Sequence, residues 1–393
     1  MDFDAFHRRD IPELLGQGRG VAAAGALPTG ASLALALRDG GAYTYRSTGA
    51  GLTVVPGDDA DVVVELDARA FDDLLDEAWS VFGLLYGDRV AVRRGEFARF
   101  ALWEAPLQAL WFGRPIYDAA AVAALVDADG LPLDITRSFT LDDDDPVLSG
   151  FLAATGFLVL RGVLSAAEIA ELNGAVAVER AAAAPGDGRS WWATRSDGTE
   201  VCCRLTYMAE RTDAAARLAR DGRFARVAAL AGADLLPCTD RLDGMSVVIK
   251  NPDVVAGLSD LPWHRDCGIG GHRVLCPGLN VGIQLDRADA DNGQLVFLAG
   301  SHRHAAQQGP PPAMGDAPVV AVDADPGDVT VHFGHTLHAA PPPRSASAGR
   351  KALYVGYHAP AAFTAVGPGM SYNDVLVTRD GGRVKSVDEV VAG

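Results

Sequence analysis

Short apolar runs rich in β-branched residues fill the second half of the chain, and they constrain the fold more than any other feature. Gly, Pro, Asn and Asp separate these runs, which lie at residues 245–249, 279–285, 295–298, 319–322, 329–333 and 353–357. Many short strands joined by turns are typical of a β-sandwich or barrel. A strand at 156–161 and a helix opening on the capping box Ser165–Glu168 precede them. The sequence therefore predicts a mainly-β domain with flanking helices.

The first third of the chain has a different pattern. Alternation of apolar and polar residues predicts strands at 32–37, 42–46, 61–66 and 89–94, and helical spacing follows at residues 71–78 and 97–111. We expect an α+β unit, a meander with helices against one face. The acidic run at residues 142–145 is typical of a solvated linker. The predicted division is a first domain at 1–125, a linker at 126–148 and a second domain at 149–393.

Charge and composition exclude several classes of partner. The chain has 34 Lys and Arg against 51 Asp and Glu, a net charge of −17. This balance argues against binding to nucleic acid or to anionic membrane surfaces. No run of 18 apolar residues occurs, and the N-terminus lacks the pattern of a signal peptide. We expect a cytoplasmic protein without membrane insertion, whose five cysteines, lacking a C-x-x-C pair, are reduced and mostly buried.

Histidine and aspartate cluster at two places in the mainly-β region. His264 and Asp266 are two residues apart, so on an extended segment both can face one ion. The second cluster, after a β-branched run, contains His332, His335 and His338. Two histidines and one carboxylate are typical ligands of non-haem Fe(II) oxygenases. A zinc hydrolase is less natural, since neither H-E-x-x-H nor a cysteine-rich cage is present.

The order of four segments resembles the phytanoyl-CoA dioxygenase family of Fe(II)- and 2-oxoglutarate-dependent oxygenases. These segments are HRD, NGQLVFLAGSHRH, PGDVTVHFGHTLHAAPPP and RKALYVGYH, and the resemblance covers roughly residues 150–360. It implies a double-stranded β-helix (jelly roll) that uses Fe(II), 2-oxoglutarate and O2, and an activity that hydroxylates an unactivated C–H bond with release of succinate and CO2. Related halogenases replace the carboxylate ligand by a small residue, so Asp266 favours hydroxylation, while desaturation and ring formation stay open.

The same resemblance implies roles for individual residues. His264, Asp266 and His338 match the metal ligands, Arg350 matches the arginine that holds the distal carboxylate of 2-oxoglutarate, and Lys250 lies near a co-substrate contact. A guanidinium suits a carboxylate because it is permanently charged and can donate two parallel hydrogen bonds. The family often has a small hydroxyl residue where this chain has Ala340, so one co-substrate hydrogen bond must come from elsewhere.

Some assignments stay open at this point. His335 and His332 compete with His338 for the third ligand position, although His338 lies twelve residues before Arg350, which suits adjacent antiparallel strands. His302 and His304 follow a turn and are expected to be exposed. Five residues are candidates for lining a substrate pocket: Arg204, Tyr207, Arg265, Asn280 and Gln284.

The N-terminal segments LALALRDGGAYTYR, GLTVVPGDDADVVVEL and LLYGDRVAVRRGEFARF are similar to the sterol carrier protein type 2 fold in the order of their elements. That resemblance implies an apolar binding tunnel, and hence a hydrophobic, acyl-like or natural-product small molecule as substrate; a purely structural or dimerising module is the alternative. Two other functions stay open: a lipid carrier with a catalytically silent barrel, and a metal-dependent isomerase or hydrolase. The sequence predicts no oligomeric state.

Overall fold

A computed structural model describes residues 1–127, 129–242, 244–257, 261–269, 273–305, 318–344, 349–365, 373 and 380–384. Fourteen α-helices are assigned in these ranges: α1 Phe3–Ala5, α2 Ile11–Gly16, α3 Arg19–Gly25, α4 Ala68–Leu75, α5 Val81–Tyr86, α6 Phe97–Ala101, α7 Glu104–Phe112, α8 Ala119–Ala123, α9 Asp145–Thr155, α10 Ala166–Ala182, α11 Met208–Arg211, α12 Asp213–Leu218, α13 Gly222–Ala229 and α14 Pro360–Ala365. A π-helical turn, Phe6–Asp10, and a 3-10 turn, Ser301–Arg303, complete the helical elements of the described ranges.

Eighteen strands are assigned in the same ranges. They are β1 Ser32–Leu37, β2 Ala42–Ser47, β3 Leu52–Pro56, β4 Val62–Leu66, β5 Val90–Arg94, β6 Phe157–Leu160, β7 Ser190–Arg195, β8 Glu200–Leu205, β9 Leu236–Pro237, β10 Ser246–Lys250, β11 Val254–Ala256, β12 Leu261–His264, β13 Leu279–Gln284, β14 Val296–Leu298, β15 Val319–Ala321, β16 Val329–Phe333, β17 His338–Ala340 and β18 Arg350–His358.

The N-terminal unit is an α+β structure around one five-stranded sheet. The strand order is β3-β2-β1-β4-β5, and β1 pairs with β4 in parallel. The expected simple meander is therefore wrong: β4 returns to the free side of β1 instead of pairing with β3. Strand β3 has no counterpart in the sequence prediction, because Leu52 is its only buried residue and it lies at the sheet edge. Closely packed aromatic rings, among them Phe71, Trp103 and Trp111, fill the core of this unit.

The second part of the chain is mainly β with flanking helices, which is consistent with the expected jelly roll. A large sheet follows the order β11-β7-β8-β10-β18-β13-β16-β6, with β9 beside β18, and a small sheet follows the order β12-β17-β14-β15. All strand pairs in these two sheets are antiparallel.

The two faces of the large sheet carry different kinds of side chain, apolar on one face and partly polar on the other. Val281, Val331 and Leu353 point outward into the main apolar core, which the flanking helices share. Successive side chains of a strand alternate between faces, so their neighbours Asn280, His332 and Tyr354 point inward. The polar groups needed for chemistry are thereby separated from the main core, on the face that meets the small sheet.

Part of the expected linker packs on the second core. Phe139 is 3% exposed and its backbone pairs with β6, and Leu148 of α9 is fully buried. Arg226 of α13 donates hydrogen bonds to the backbone carbonyls of Leu141 and Asp143. The acidic composition of this segment did not predict that Phe139 packs into the core, because Phe139 is a single aromatic residue in a polar stretch.

Two further expectations concern cysteines and membrane helices. All five cysteines are free and buried, as predicted. Within the described ranges, no helix combines the length and apolar character needed to cross a bilayer.

Candidate metal centre

The two predicted ligand segments meet in the small sheet. His264 ends β12 and lies directly opposite His338, which begins β17. The ring centroids of the two histidines are 4.3 Å apart. Asp266 follows in the turn after β12, where its backbone N–H donates to the carbonyl of Gly334 at 2.8 Å. One donor atom from each of these three side chains lies within 4.8 Å of the others, so the group can hold a metal ion.

Backbone carbonyls fix the orientation of both imidazoles. Nδ1 of His264 lies 2.7 Å from the carbonyl oxygen of Pro262, and Nδ1 of His338 lies 3.0 Å from that of Thr336. A carbonyl oxygen only accepts hydrogen bonds, so each Nδ1 carries the proton and donates. Nε2 of each ring is then unprotonated and can coordinate a cation, an arrangement common among metal-binding histidines.

Asp266 is held through one of its two carboxylate oxygens. Its Oδ2 accepts hydrogen bonds from Nδ2 of Asn280 and from Nε2 of His332, both at 3.0 Å. Asn280 and His332 are direct neighbours across β13 and β16. Oδ1 lies 3.6 Å from Nε2 of His264. Two neighbouring ligand atoms that each lie about 2.1 Å from one ion are roughly 3 Å from each other. Nε2 of His264 and Oδ1 of Asp266 would therefore need to move only slightly closer together to bind the same cation.

The local electrostatics favour the ligand forms of these groups. Burial lowers the pKa of His338 to about 3, which leaves its ring neutral at pH 7. For Asp266, burial acts to raise the pKa, but the neighbouring imidazoles outweigh it and hold the pKa well below its usual range. His264 and Asp266 are partly exposed, whereas His338 is buried, so one side of the cluster is open to small molecules.

The three histidine candidates for the last ligand position lie in different surroundings. His338 joins His264 and Asp266, whereas His332 donates from Nε2 to Oδ2 of Asp266, the oxygen that the amide of Asn280 also binds. The ring of His335 packs against Phe333, with centroids 5.5 Å apart, and against His302. The sequence kept His332 as an alternative third ligand, because its contact with Asp266 exists only in the folded sheet.

Removing the groups that hold Oδ2 should weaken metal binding. We expect His332→Phe and Asn280→Leu each to reduce Fe(II) affinity by about 10- to 100-fold, the range typical of lost partners of metal ligands. Anaerobic Fe(II) titration of the purified variants measures this. Thr330→Val, two residues from His332 on the same strand, is the matched control and should bind Fe(II) as the wild type does. Wild-type affinity in both His332→Phe and Asn280→Leu would contradict this role.

The inner face beside the cluster contains a buried cation. Arg350, at the start of β18, is 2% exposed, and its Nε and Nη2 donate to the carbonyl oxygen of Gly293 at 3.1 and 2.8 Å. Its cross-strand neighbour Lys250 donates from Nζ to the carbonyl oxygens of Ala340 and Pro341. Lys250 therefore fastens the strand that carries His338, while its predicted contact with 2-oxoglutarate stays a prediction.

Tyr354 lies on the same inner face as Arg350, and the sequence analysis did not identify it as a site residue. Burial raises its pKa against the opposing effect of the Arg350 guanidinium, so the hydroxyl stays protonated near both Arg350 and Asp266. Gly282 makes room for the ring: a Cβ at that position would lie 2.5 Å from Cε1 of Tyr354. The signal was present in the sequence, because residues 350 and 354 share a face of an extended strand.

The remaining pocket candidates differ in placement. Gln284 is 1% exposed on the inner face, and its Oε1 has no hydrogen-bond partner among the described residues. Arg204 donates to Oγ of Ser246 and stacks 4.6 Å above the ring of Trp191. The hydroxyl of Tyr207 donates to the carbonyl of Leu242. Substrate contacts for these three residues stay predictions.

Two of the expected pocket residues make other contacts in the structure. Arg265 was expected in the substrate pocket, but its side chain is 1% exposed and lies among charged groups of the N-terminal unit, because it projects to the side opposite His264 and Asp266. Asn280 donates from Nδ2 to Asp266, and its expected contact with substrate stays a prediction.

The expected exposure of His302 is also wrong. This histidine is 7% exposed and stacks on Phe333. Burial lowers the pKa of His302 to about 3 and that of His335 to about 4. Both rings are therefore neutral in the folded protein at pH values where an unfolded chain would protonate them.

These two histidines should make stability depend on pH. Since their folded pKa values lie below 6.5, their stabilising effect is complete above pH 6.5 and is lost as the pH falls towards 4. Each can contribute a decrease of up to about 1.4 kcal/mol in unfolding free energy per pH unit. Urea denaturation between pH 7 and 4.5 measures the slope, which should be shallower in His302→Gln. An unchanged slope in that variant would contradict the assignment.

Two imidazoles and one carboxylate converging in the small sheet, beside a buried arginine on the inner face of the large sheet, define the site of a non-haem Fe(II) oxygenase. The model of the phytanoyl-CoA dioxygenase family matches residues 152–352. The chain belongs to this family, and it is an Fe(II)- and 2-oxoglutarate-dependent dioxygenase.

Several solved structures are similar to part of the chain. AviO1 from Streptomyces viridochromogenes is 26% identical over 56% of this chain and 96% of its own, with a TM-score of 0.44. The non-haem α-ketoglutarate-dependent carbocyclase SnoK from nogalamycin biosynthesis is 22% identical over 57% and 87%, with a TM-score of 0.45. EctD from S. alaskensis with bound Fe is 21% identical over 57% and 81%, with a TM-score of 0.44. Comparison with curated protein sequences gives no match.

Proposed function

We propose that His264, Asp266 and His338 hold the Fe(II) ion of this dioxygenase, and that Arg350 binds the far carboxylate of 2-oxoglutarate. The observation that carries the metal assignment is that each of the three side chains keeps one atom available for coordination. Backbone carbonyls bind Nδ1 of both histidines, and Asn280 binds Oδ2 of the aspartate. Nε2 of His264, Nε2 of His338 and Oδ1 of Asp266 are therefore left for the ion. Iron and 2-oxoglutarate supply the oxidation of the substrate by O2, with succinate and CO2 as co-products.

The chain's own residues prepare the site for this chemistry. His332 and Asn280 hold Asp266 in one orientation, and burial keeps His338 unprotonated. Tyr354 and Arg350 present a phenolic hydroxyl and a guanidinium on one face of β18, which suits a dicarboxylate. The hydroxyl of Tyr354 is a candidate for the hydrogen bond that Ala340 cannot supply.

Anaerobic spectroscopy tests this proposal. Purified protein is loaded with Fe(II) in the absence of oxygen, 2-oxoglutarate is added, and the visible metal-to-ligand charge-transfer band is recorded. We expect the band to appear on addition of 2-oxoglutarate and to disappear when oxygen is admitted with substrate. Folded, iron-loaded protein without the band would favour a non-oxidative function, such as a lipid carrier. Turnover without oxygen would favour a metal-dependent isomerase or hydrolase.

We also propose that the substrate is a small apolar molecule that undergoes hydroxylation, and that the N-terminal unit is a sterol-carrier-like domain. Support for an apolar substrate comes from the buried rings of Phe157 and Phe297 and from Ala340, which line the inner face beside the cluster. In the N-terminal unit, a cavity of about 20 Å³ lies between Leu107, Trp111 and Val274, so an acyl chain would have to displace side chains there. Extraction of the purified protein followed by mass spectrometry should recover an apolar ligand. A clean extract, with no binding of a fluorescent fatty acid, would contradict the lipid-binding role.

The predicted domain division at 1–125 and 149–393 stays a proposal. It is supported by two separate apolar cores, one formed by residues up to 111 and the other by residues from 139 onward. The cytoplasmic location stays a prediction.

A further inference from the structure

Two thiols lie in contact directly beside the proposed metal ligand Asp266. Sγ of Cys267, the residue after Asp266, is 3.4 Å from Sγ of Cys276, which lies nine residues further along the chain. The sulfur atoms of a disulfide are about 2.05 Å apart, so these two atoms need to approach by about 1.4 Å to form one. Cys202 and Cys203 are successive residues of β8 and therefore point to opposite faces of the sheet.

The N-terminal unit holds the two cysteine-bearing segments in place. The N–H of Ser80 donates to the carbonyl oxygen of Gly268 at 2.7 Å. The carbonyl oxygen of Glu77 accepts a hydrogen bond from the N–H of Val274, also at 2.7 Å. Gly268 follows the first cysteine, and Val274 lies two residues before the second. A Cβ added at Gly83 of α5 would overlap the carbonyl oxygen of Gly268, so the close packing of the two parts of the chain keeps the thiols at contact distance.

The two thiols differ in their surroundings. Cys276 is 9% exposed, whereas Cys267 is fully buried. The N–H of Gly278 donates to Sγ of Cys276 at 3.3 Å. A hydrogen bond donated to sulfur favours the thiolate, which is the form that reacts with oxidants. A small oxidant therefore reaches and oxidises Cys276 first, and Cys267 is placed to attack the oxidised sulfur.

The pair is also linked to both segments that carry the proposed metal ligands. The N–H groups of Asp266 and Cys267 donate to the carbonyl oxygen of Gly334, at 2.8 and 3.0 Å. A Cβ added at Gly334 would lie 2.6 Å from Sγ of Cys267, so this sulfur touches the backbone of the segment that leads to His338. Close-packed interiors transmit such displacements. A change in the position of Cys267 therefore acts on the turn that carries Asp266.

We propose that Cys267 and Cys276 are an oxidation site, at which hydrogen peroxide forms a disulfide that displaces Asp266 and lowers the Fe(II) affinity of the metal centre. Cys276 reacts first: the O–O bond of the peroxide breaks, a sulfenic acid forms and one water leaves. The thiol of Cys267 then attacks that sulfur, the S–S bond forms and the hydroxyl leaves as a second water. Two thiols lose two electrons in total, and one peroxide is reduced to two waters. The effect on iron rests on the proposed metal ligands, whereas formation of the disulfide does not.

Peroxide treatment of the full-length protein tests this inference. The metal-free protein is treated with hydrogen peroxide, the peroxide is removed with catalase, and Fe(II) is then titrated anaerobically. We expect peptide mapping by mass spectrometry to show a bond between Cys267 and Cys276. The dissociation constant for Fe(II) should rise at least about 10-fold, as it does when the support of a metal ligand is lost. Reduction with dithiothreitol should restore both the thiols and the affinity.

Two single variants provide the controls. Cys276→Ser cannot form the bond, so peroxide should leave its Fe(II) affinity unchanged. Cys238→Ser removes another buried thiol, whose Sγ donates to the carbonyl oxygen of Arg241 at 3.0 Å. Peroxide should weaken Fe(II) binding in this variant as much as in the wild type. Mapping of the wild-type protein needs no variant, so the test does not depend on the folding of Cys276→Ser.

The outcomes separate this inference from the proposed function. Wild-type protein in which Cys267 and Cys276 stay reduced, or in which oxidation stops at the acid of a single sulfur, would overturn the oxidation site. A mapped disulfide with unchanged Fe(II) affinity would overturn its effect on the metal centre, as would an equal loss of affinity in peroxide-treated Cys276→Ser. Untreated wild-type protein that binds no Fe(II) would overturn the metal assignment, while the mapping still tests the oxidation site.

Discussion

Replacement of His338 by alanine is expected to abolish Fe(II)-dependent consumption of 2-oxoglutarate. The variant keeps His264 and Asp266, but two donors on one side of an ion hold it far less firmly than three. Loss of a group that hydrogen-bonds to a metal ligand typically reduces metal affinity 10- to 100-fold. Loss of the ligand itself should therefore reduce the Fe(II) affinity by more than about 100-fold. Asp266→Ala should behave in the same way. Fe(II) titration and succinate release, measured on the same samples, check both variants.

His335→Ala is the matched control for this experiment. His335 lies three residues from His338 on the same segment and is half-buried, but its ring packs on Phe333 and His302 rather than on Asp266. We expect His335→Ala to bind Fe(II) within a few-fold of the wild type, although its thermal stability should fall because it leaves a cavity. Retention of iron in His338→Ala with loss in His335→Ala would transfer the ligand role to His335.

Replacement of Arg350 by methionine should separate co-substrate binding from metal binding. The guanidinium is the permanently charged group beside Tyr354 on the inner face, and charge-assisted bonds to a carboxylate are among the stronger polar contacts in proteins. We expect the affinity for 2-oxoglutarate to fall by about 100-fold, equivalent to about 2.7 kcal/mol, while Fe(II) affinity changes little. Titration of the charge-transfer band with 2-oxoglutarate gives the first quantity, and Fe(II) titration without it gives the second.

Lys351→Met provides the control, because Lys351 is the next residue of β18 and pairs with Asp286 at 2.7 Å. It removes one positive charge from the same strand without touching the inner face. We therefore expect wild-type affinity for 2-oxoglutarate. Arg350 also supports Gly293 through two hydrogen bonds, so melting curves of both variants must show folded protein. Equal losses of 2-oxoglutarate affinity in the two variants would argue against a specific role of Arg350.

Much of the mainly-β architecture could be predicted from the sequence, since alternation and turn residues act locally. The run at 329–333 matches β16, and that at 279–285 overlaps β13 within one residue. The three proposed metal ligands could also be named from the sequence, because His264, Asp266 and His338 lie on recognisable segments, and the fold brings them together. Strands β7 and β8 were not predicted. Trp191 and Cys203 are buried there, but neither strand alternates regularly between apolar and polar residues: β7 has two adjacent tryptophans, and β8 has two adjacent cysteines between charged residues.

The side chains that support the site could not be predicted in the same way. His332 was a candidate ligand of the same chemical type as His338. Only the pairing of β13 with β16 shows that His332, beside Asn280, donates to Oδ2 of Asp266. Arg265 looked like a pocket residue because it adjoins two ligands. Its burial depends on how the N-terminal unit packs on the turn after Asp266.

The sequence by itself determined the candidate ligand types, the strand-rich character of the second part of the chain and the acidic net charge, since these depend on residue identity and on spacing within a few residues. The tertiary structure decided which donor atoms remain free for a cation, which histidine supports Asp266, and that the N-terminal unit packs on the turn after Asp266. The physical reason is that hydrogen bonds and Coulomb interactions act over a few ångströms in space, and only folding brings residues from distant parts of the chain to that distance.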